Sequence, residues 1–401
     1  MNMVETAGYR GERKEGYCVF RGIRYGRIER RFSTSSIVNT PESTADALCF
    51  PPVMPQLPPE KGSFYEREFY QSGLPEAAED SLFLNIWVPD GDGPFPVVLF
   101  FHGGAFDHGW SYEDEFDGGE WAKRGVILVT AQYRLGLLGY AVFRGEKCNL
   151  GLRDQALSYA WVRRNIASFG GDVSRVSLMG QSAGALSILS LLTSPLLEAK
   201  PYSVILMSSG GPSGPLPVLD LRREDIERET ENFLSQRGIT HTDIMEMTVP
   251  AILALQNEMQ TYIRERTQVS FPFSLLLDGD SLPYTADEAF EKGLFDGFPV
   301  LMGVTADDIG GEELLSSALS FLERRKERGW CYLFSHHLPP DNVSPFHSCD
   351  LRYAFGTLSS SWRNFTPEDE KISSELIDSM TELVTNGTLS WEKCPEYLVI
   401  L

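Results

Sequence analysis

The chain has 401 residues, 42% of them hydrophobic and 23% charged, which is enough to bury a large core and unlike a disordered or fibrous protein. Its 35 basic and 56 acidic residues leave a net charge of −21, a surface that repels phosphate backbones and anionic membranes and argues against nucleic-acid binding. No run of about 18 uncharged apolar residues is present to span a membrane, and the polar stretch 1–14 lacks the apolar centre of a secretory signal. Cys18, Cys49, Cys148, Cys331, Cys349 and Cys394 are scattered, with no Cys-x-x-Cys pair. Six such cysteines in a chain this long need no bridging, so a reducing, cytoplasmic setting is expected.

In chain order, the proline cluster at 51–59 predicts an irregular surface loop. The apolar run 97–101 (VVLFF) predicts a buried strand, and 126–131 a second. A helical pattern follows at 152–168, then a strand at 176–179, a helix at 183–192 and a strand at 204–207. The stretch 210–280 opens on Gly210-Gly211-Pro212 and continues in a charged helical pattern, which predicts a partial cap above the sheet. Strands at 300–304 and 331–334 and helices at 313–328 and 368–384 complete the series. Apolar strands alternating with helices predict an α/β fold: a mostly parallel central sheet with helices on both faces. No linker divides it, so 1–401 is expected to form a single domain with a cap at 210–280.

The strongest chemical signal is Gly180-Gln181-Ser182-Ala183-Gly184, entered by a strand and left by a helix. That is the setting of a nucleophile elbow, in which small flanking residues allow a turn tight enough to present the serine hydroxyl off the sheet edge. The N–H groups that follow sit at a helix N-terminus, where partial positive charge favours an anion. A structural Gly-x-Ser-x-Gly loop is the plain alternative, weakened by the strand before and the helix after. His102-Gly103-Gly104-Ala105-Phe106, directly after strand 97–101, carries the pattern of an oxyanion loop; a simple glycine turn is its alternative.

A serine hydroxyl needs a base. Of the six histidines, chain order Ser, acid, His favours His336, His337 and His347 over His102, His108 and His241. The acid should follow a strand between the serine and that histidine, and Asp307-Asp308 lies just past 300–304.

Several further motifs resemble the type-B carboxylesterases, the α/β-hydrolase family that includes the cholinesterases. Phe20-Arg21-Gly22-Ile23-Arg24-Tyr25 is similar to its F-x-G-I-P-Y segment, and Glu79-Asp80-Ser81-Leu82-Phe83-Leu84-Asn85-Ile86 to its E-D-C-L-x-L-N-I signature. Asn149-Leu150-Gly151-Leu152-Arg153-Asp154-Gln155 resembles N-x-G-L-x-D-Q. Asn165-Ile166 with Phe169-Gly170-Gly171-Asp172 resembles N-I-x-x-F-G-G-D. The likeness runs over nearly the whole chain. It implies an α/β-hydrolase fold and cleavage of small carboxylic esters, with no metal and no organic cofactor.

Residue by residue, the resemblance implies Ser182 as nucleophile and His347 as base, with Leu351, Tyr353, Phe355 and Gly356 completing the pattern around that histidine. It implies Asp308 as the acid, where the family usually has Glu, with Asp307 and Glu312 as substitutes. The implied oxyanion donors are Gly104, Ala105 and Ala183, with Gly103 supporting the loop. Ser81 stands where the family has a cysteine, so the bridge to Cys49 that the resemblance would imply cannot form. About 39 positions separate Asp308 from His347, fewer than in relatives, so a reduced cap and a shallow pocket favouring short acyl groups are expected. Two other classes fit the same motifs: a catalytically silent adhesion-type binding protein of this fold, and an amidase or lactonase using the same triad. Oligomeric state is not encoded in any of these signals.

Overall fold

The computed structural model describes residues 2–215, 221–327, 329–393 and 398–400. Cys394 and part of the 210–280 excursion lie outside the described residues. Eleven strands follow one another across a single sheet: β1 (Asn2–Thr6), β2 (Tyr9–Lys14), β3 (Tyr17–Arg24), β4 (Phe83–Pro89), β5 (Phe95–Phe101), β6 (Ile127–Ala131), β7 (Gly171–Gln181), β8 (Val204–Met207), β9 (Val300–Thr305), β10 (Trp330–Phe334) and β11 (Leu398–Ile400). Their spatial order is β1-β2-β3-β4-β6-β5-β7-β8-β9-β10-β11, and the short strand Ala45–Asp46 pairs with β2 at one edge. From β6 to β11 every pairing is parallel, and from β1 to β4 and on to β6 every pairing is antiparallel. The sheet is therefore mostly parallel, as the sequence predicts, with an antiparallel flank at the N-terminal side.

The centre of the sheet explains why its strands read as unbroken apolar runs. Val97, Leu99 and Phe101 pack into the core on one face, while Val98 and Phe100 pack into the core on the other, and all five are fully buried. Alternation of side chains along a strand puts an apolar demand on both faces at once. Helices meet that demand: 150–165 and 183–193 on the first face, and Pro367–Asn386 on the second, where Ile372, Leu376, Met380 and Leu383 face the sheet. The last of these starts where its sequence dictates. Thr366 caps it and Asp369 returns a hydrogen bond to the Thr366 N–H, a reciprocal cap followed by proline in the first turn.

Several motif residues turn out to hold this frame together. Asp154 accepts two hydrogen bonds from the Arg134 guanidinium, at 2.7 and 2.8 Å, in a fully buried pair. Asn149 clasps the backbone of Leu276 through both ends of its amide, tying the far end of the excursion to the start of helix 150–165. Asn85 accepts from the Gly22 N–H and donates to Ser111 and Thr130, joining β3, β4 and β6.

The proline loop departs from expectation. It is irregular, but Pro51, Val53, Met54, Pro55 and Gln56 are buried rather than on the surface. Its polar backbone is satisfied from outside: the Pro52 carbonyl accepts from Ser81 and Gln132, and Gln56 both accepts from and donates to the backbone of Gly109. A loop whose carbonyls find such donors can be buried without penalty. The excursion after β8 folds as helices Arg223–Arg237, His241–Glu246 and Val249–Thr267. No described helix is long and apolar enough to cross a membrane, and no disulfide joins described residues.

Candidate active site

The C-terminal ends of β5, β7, β8 and β9 lie side by side, because parallel strands finish on one edge of the sheet, and the loops leaving them converge there. β7 passes through Ser182 into the helix Ala183–Thr193. Ser182 has φ 52° and ψ −124°, a conformation L-residues rarely hold. The surroundings enforce it. The Ser182 N–H donates to the Met207 carbonyl at 2.8 Å, and the Leu186 N–H donates to the Ser182 carbonyl at 2.9 Å. Glycine is required at 184, where a Cβ would stand 2.0 Å from the Phe101 carbonyl oxygen. Strain of this kind, worth about 1–3 kcal/mol, persists only where packing over-determines it.

The loop after β5 folds back on the elbow. A Cβ on Gly103 would lie 2.4 Å from Gln181 Oε1 and 3.0 Å from Ser182 Cβ, so glycine is what lets this backbone approach the serine. Ala105 and Phe106 follow with φ 52° and 65°. The turn is locked by the Asp107 and His108 N–H groups on the Gly104 carbonyl, each at 3.0 Å, and by Gly136 N–H on the Phe106 carbonyl at 2.7 Å. Among the described residues the N–H groups of Gly104 and Ala105 have no acceptor. Ala183 opens its helix, where N–H groups have no intrahelical partner. His102, by contrast, faces inward: it stacks on Tyr133, and burial pushes its imidazole down to about 4 despite the carbonyl of Gly103.

His347 and Asp308 meet across two loops. His347 Nδ1 lies 2.5 Å from Asp308 Oδ1. The other carboxylate oxygen accepts from Ser208 Oγ at 2.6 Å and the Thr305 N–H at 3.1 Å, and the Ile309 N–H donates to Oδ1 at 2.8 Å. Burial alone would raise this carboxyl. The hydrogen bond and charge of His347, with the Ser208 and Thr305 donors, outweigh it and hold the group below its ordinary range. Asp307 and Glu312 are exposed. Aspartate has a shorter arm than glutamate, and the backbone closes the gap: Asp307 pairs with Phe346 in a parallel bridge, and the Asp307 N–H donates to the Pro345 carbonyl at 3.0 Å.

Ser182, Ala183, Gly103, Gly104, Ala105 and His347 line one cavity of about 520 Å³, a size suited to a small organic ligand. Gln256, Asn257 and Gln260 on helix Val249–Thr267 form part of its wall, so the excursion lies against the cavity. Of the remaining histidines, His336 contacts Asp369 and His241 packs on Phe32 and Phe143. Sequence reasoning missed Ser208, which only the parallel register of β8 and β9 brings to Asp308, and Gln181 as a partner of Ser348. It also missed two buried acids of the cavity wall, Glu113 and Glu115, whose sequence context (SYEDEFD) reads as a solvated charge run.

Comparison with known proteins bears on this geometry. A family described as "Carboxylesterase family" matches residues 4–313. A para-nitrobenzyl esterase from Bacillus subtilis (strain 168) is 31% identical over 334 residues, covering 78% of this chain and 66% of that protein. A fumonisin B1 esterase from Sphingopyxis macrogoltabida is 35% identical over 241 residues, 58% of this chain and 43% of that protein. The chain thus spans just under two thirds of the first relative and less than half of the second. Among solved structures, a thermophilic PNB esterase superposes with TM-score 0.86 over 99% of this chain and 95% of that one at 24% identity, and a PNB esterase with TM-score 0.85 over 100% and 95% at 23%. These likenesses are of fold, and they agree with the α/β-hydrolase architecture expected from the motifs.

Proposed function

Because the chain belongs to the carboxylesterase family, we propose that it hydrolyses small carboxylic esters through an acyl-enzyme formed on Ser182. The reading rests above all on one observation: the buried His347, with Nδ1 2.5 Å from the Asp308 carboxylate, lines the same cavity as a serine on a strained strand-to-helix turn. In the first half-reaction His347 Nε2 takes the hydroxyl proton of Ser182 as Oγ bonds to the ester carbonyl carbon. The electron pair displaced to the carbonyl oxygen is received by the N–H groups of Gly104, Ala105 and Ala183, on a loop that Gly103 allows to approach. Asp308 accepts the Nδ1 proton's hydrogen bond, which fixes the tautomer and stabilises the imidazolium without taking the proton. Collapse breaks the acyl–oxygen bond, and the imidazolium gives its proton to the leaving alkoxide. Water then repeats the sequence, releasing the acid and restoring Ser182. Every proton is carried by His347, so the cycle calls on no metal or cofactor.

Short acyl groups, about two to six carbons, are the proposed substrates, in keeping with a cavity in the range that holds small ligands. The whole chain 1–401 acts as one catalytic domain with the 210–280 helices as its partial cap, in a cytoplasmic setting that the serine at 81 and the scattered cysteines favour. The name of the Bacillus relative makes a para-nitrobenzyl ester a natural first substrate. The test is a panel of p-nitrophenyl esters with the wild type and Ser182→Ala, with a phosphonofluoridate probe mapped by peptide analysis. Label on Ser182, and turnover lower by several orders of magnitude in the variant, are expected. An active protein labelled elsewhere overturns the nucleophile. A protein that neither labels nor hydrolyses is the silent binding protein instead.

A further inference from the structure

Three consecutive residues of the loop after β5, Gly104, Ala105 and Phe106, hold positive φ, at 99°, 52° and 65°. Two of them carry a Cβ, so the path is costly and persists only where other contacts fix it. The loop supplies part of that hold itself, through the Asp107 and His108 N–H groups on the Gly104 carbonyl. Two further contacts run outward, and both lead to the cap helix Val249–Thr267.

The first is direct. Gln260 Nε2 donates to Asp107 Oδ2 at 3.2 Å, one residue past Phe106. The second passes through one intermediate. The Phe106 carbonyl accepts from the Gly136 N–H at 2.7 Å. Gly136 holds φ 53°, and a Cβ there would stand 2.1 Å from Gln256 Oε1. That same oxygen accepts from the Leu137 N–H at 2.8 Å, so the Gln256 amide bonds the turn that grips Phe106. A carboxylate offers acceptors and a backbone N–H a donor, so chemistry fixes which end of each amide faces its partner. Gln256 and Gln260 are one helical turn apart and share a face. The helix that carries them is itself anchored. Ile252, Leu255, Met259 and Ile263 are buried, and Tyr262 packs on Phe233 with ring centroids 5.2 Å apart and accepts from Gln236 at 2.8 Å.

We infer that Gln256 and Gln260 are positioning residues of the reaction: through Leu137 and Asp107 they hold the loop where the Gly104 and Ala105 N–H groups meet the developing oxyanion. The inference rests on the ester-hydrolase reading above and gives the cap a second task, shaping the catalytic loop as well as walling the cavity. Donors stabilise an oxyanion most when they are fixed in advance, and a loop free to relax loses that alignment. The loss falls on the transition state and not on substrate binding, so kcat drops while KM holds.

Gln260→Met and Gln256→Met keep the side-chain length and remove the hydrogen bond. Each should lower kcat on p-nitrophenyl butyrate by about tenfold, less than the roughly 10²–10³ that a whole oxyanion donor supplies, with KM nearly unchanged. A trifluoromethyl ketone reports on the oxyanion itself. Ser182 Oγ bonds to its carbonyl carbon, the hydroxyl proton passes to His347, and the carbonyl π pair becomes the charge on oxygen. Its Ki should rise by the factor by which kcat/KM falls. At position 260 a donor is what counts, so Gln260→Lys should recover most of the loss and Gln260→Glu, a like charge against Asp107, should deepen it. Hydrogen exchange reads the loop without turnover: a peptide spanning 103–110 should exchange faster in both Met variants as the Asp107 and His108 bonds loosen. A raised KM with kcat unchanged would make the two amides substrate contacts and overturn the inference. Loop exchange and ketone affinity that neither variant moves would overturn it too. If the wild type hydrolyses no ester, exchange alone decides: a faster loop keeps the coupling of cap and loop, and only the ester-hydrolase reading falls. Should Gln256→Met fail to fold, the half-buried Gln260 carries the same test.

Discussion

The amide nitrogen of Gln181 lies 3.3 Å from Nε2 of His347, the ring nitrogen that the proposed mechanism uses as base. The same amide donates to Ser348 Oγ at 2.8 Å, so it spans from the elbow to the histidine loop. A neutral side chain at this point leaves the charge of the imidazole to Asp308. Gln181→Glu would put a carboxylate beside that nitrogen and draw the imidazole away from Ser182, so kcat/KM should fall by about tenfold or more. Steady-state kinetics on one p-nitrophenyl ester checks this, and an unchanged rate would mean that the side chain turns away from His347 in solution.

Asp308→Asn should preserve the fold and lower kcat by up to ~10⁴. The reason lies in the donors around the carboxylate. Ser208 Oγ and the Thr305 N–H both need an acceptor at Oδ2, so an asparagine is driven to turn its NH₂ toward the histidine. Nδ1 then becomes the acceptor, Nε2 carries the proton, and the base is lost. Asp307→Asn, at an exposed side chain, should stay within a few-fold of the wild type. Steady-state kinetics on one p-nitrophenyl ester ranks the two, and the reverse order would move the role to Asp307.

How much of this could be read beforehand depends on whether a feature is local. The elbow and the glycine loop are contiguous segments, and their strand and helix flanks carry strong periodicity. The parallel strands were legible because burial on both faces forces unbroken apolar runs such as 97–101. The antiparallel flank was not: β1 and β2 carry Glu5, Arg10, Glu12 and Arg13 within short strands, so their pairing resembles a polar tail. Residue type and spacing do not separate Asp307 from Asp308; the resemblance selects Asp308, and the fold buries it and exposes its neighbour. Ser208, Gln181 and the buried face of the proline loop depend on contacts between distant segments, which leave no trace in local pattern.

Asp350 gives a stability prediction with a definite sign. It is fully buried three positions after His347; Tyr332 donates to one oxygen at 2.8 Å and the other has no hydrogen-bond partner. Burial pushes its carboxyl up to about 6, against about 3.9 in an unfolded chain. Between those values the folded protein holds a proton that the unfolded chain has released. This group's contribution to stability therefore falls as pH rises through that window, by about 3 kcal/mol in all, and stays at the lower level above it. Asp350→Asn removes the titration. Urea midpoints should show the variant gaining on the wild type between pH 4.5 and pH 8, and a difference independent of pH would refute the assignment.

Acyl-chain selectivity tests the shape of the cavity. Each buried CH₂ contributes about 0.8 kcal/mol, so a deep apolar tunnel gives a steady rise in kcat/KM with chain length. Here the cavity is about 520 Å³ and its wall is mixed: Gln256, Asn257 and Gln260 face it from the cap helix, and glutamates line it elsewhere. A chain that outgrows the apolar part meets polar side chains or solvent and gains little more. We therefore expect kcat/KM to peak at about two to six acyl carbons and then level or fall. The competing outcome also has a structural basis. Leu57, Tyr65 and Ile309 are exposed apolar residues among those lining the cavity, and a long tail laid across them would keep gaining. A series of p-nitrophenyl esters from two to twelve carbons, kept below the micelle threshold, distinguishes the two. A rise through ten or twelve carbons would place the acyl chain on that rim and refute the short-chain reading. Leu57→Ser should then flatten the long end of the series while leaving the acetate rate near its wild-type value, since a two-carbon acyl group does not reach the mouth.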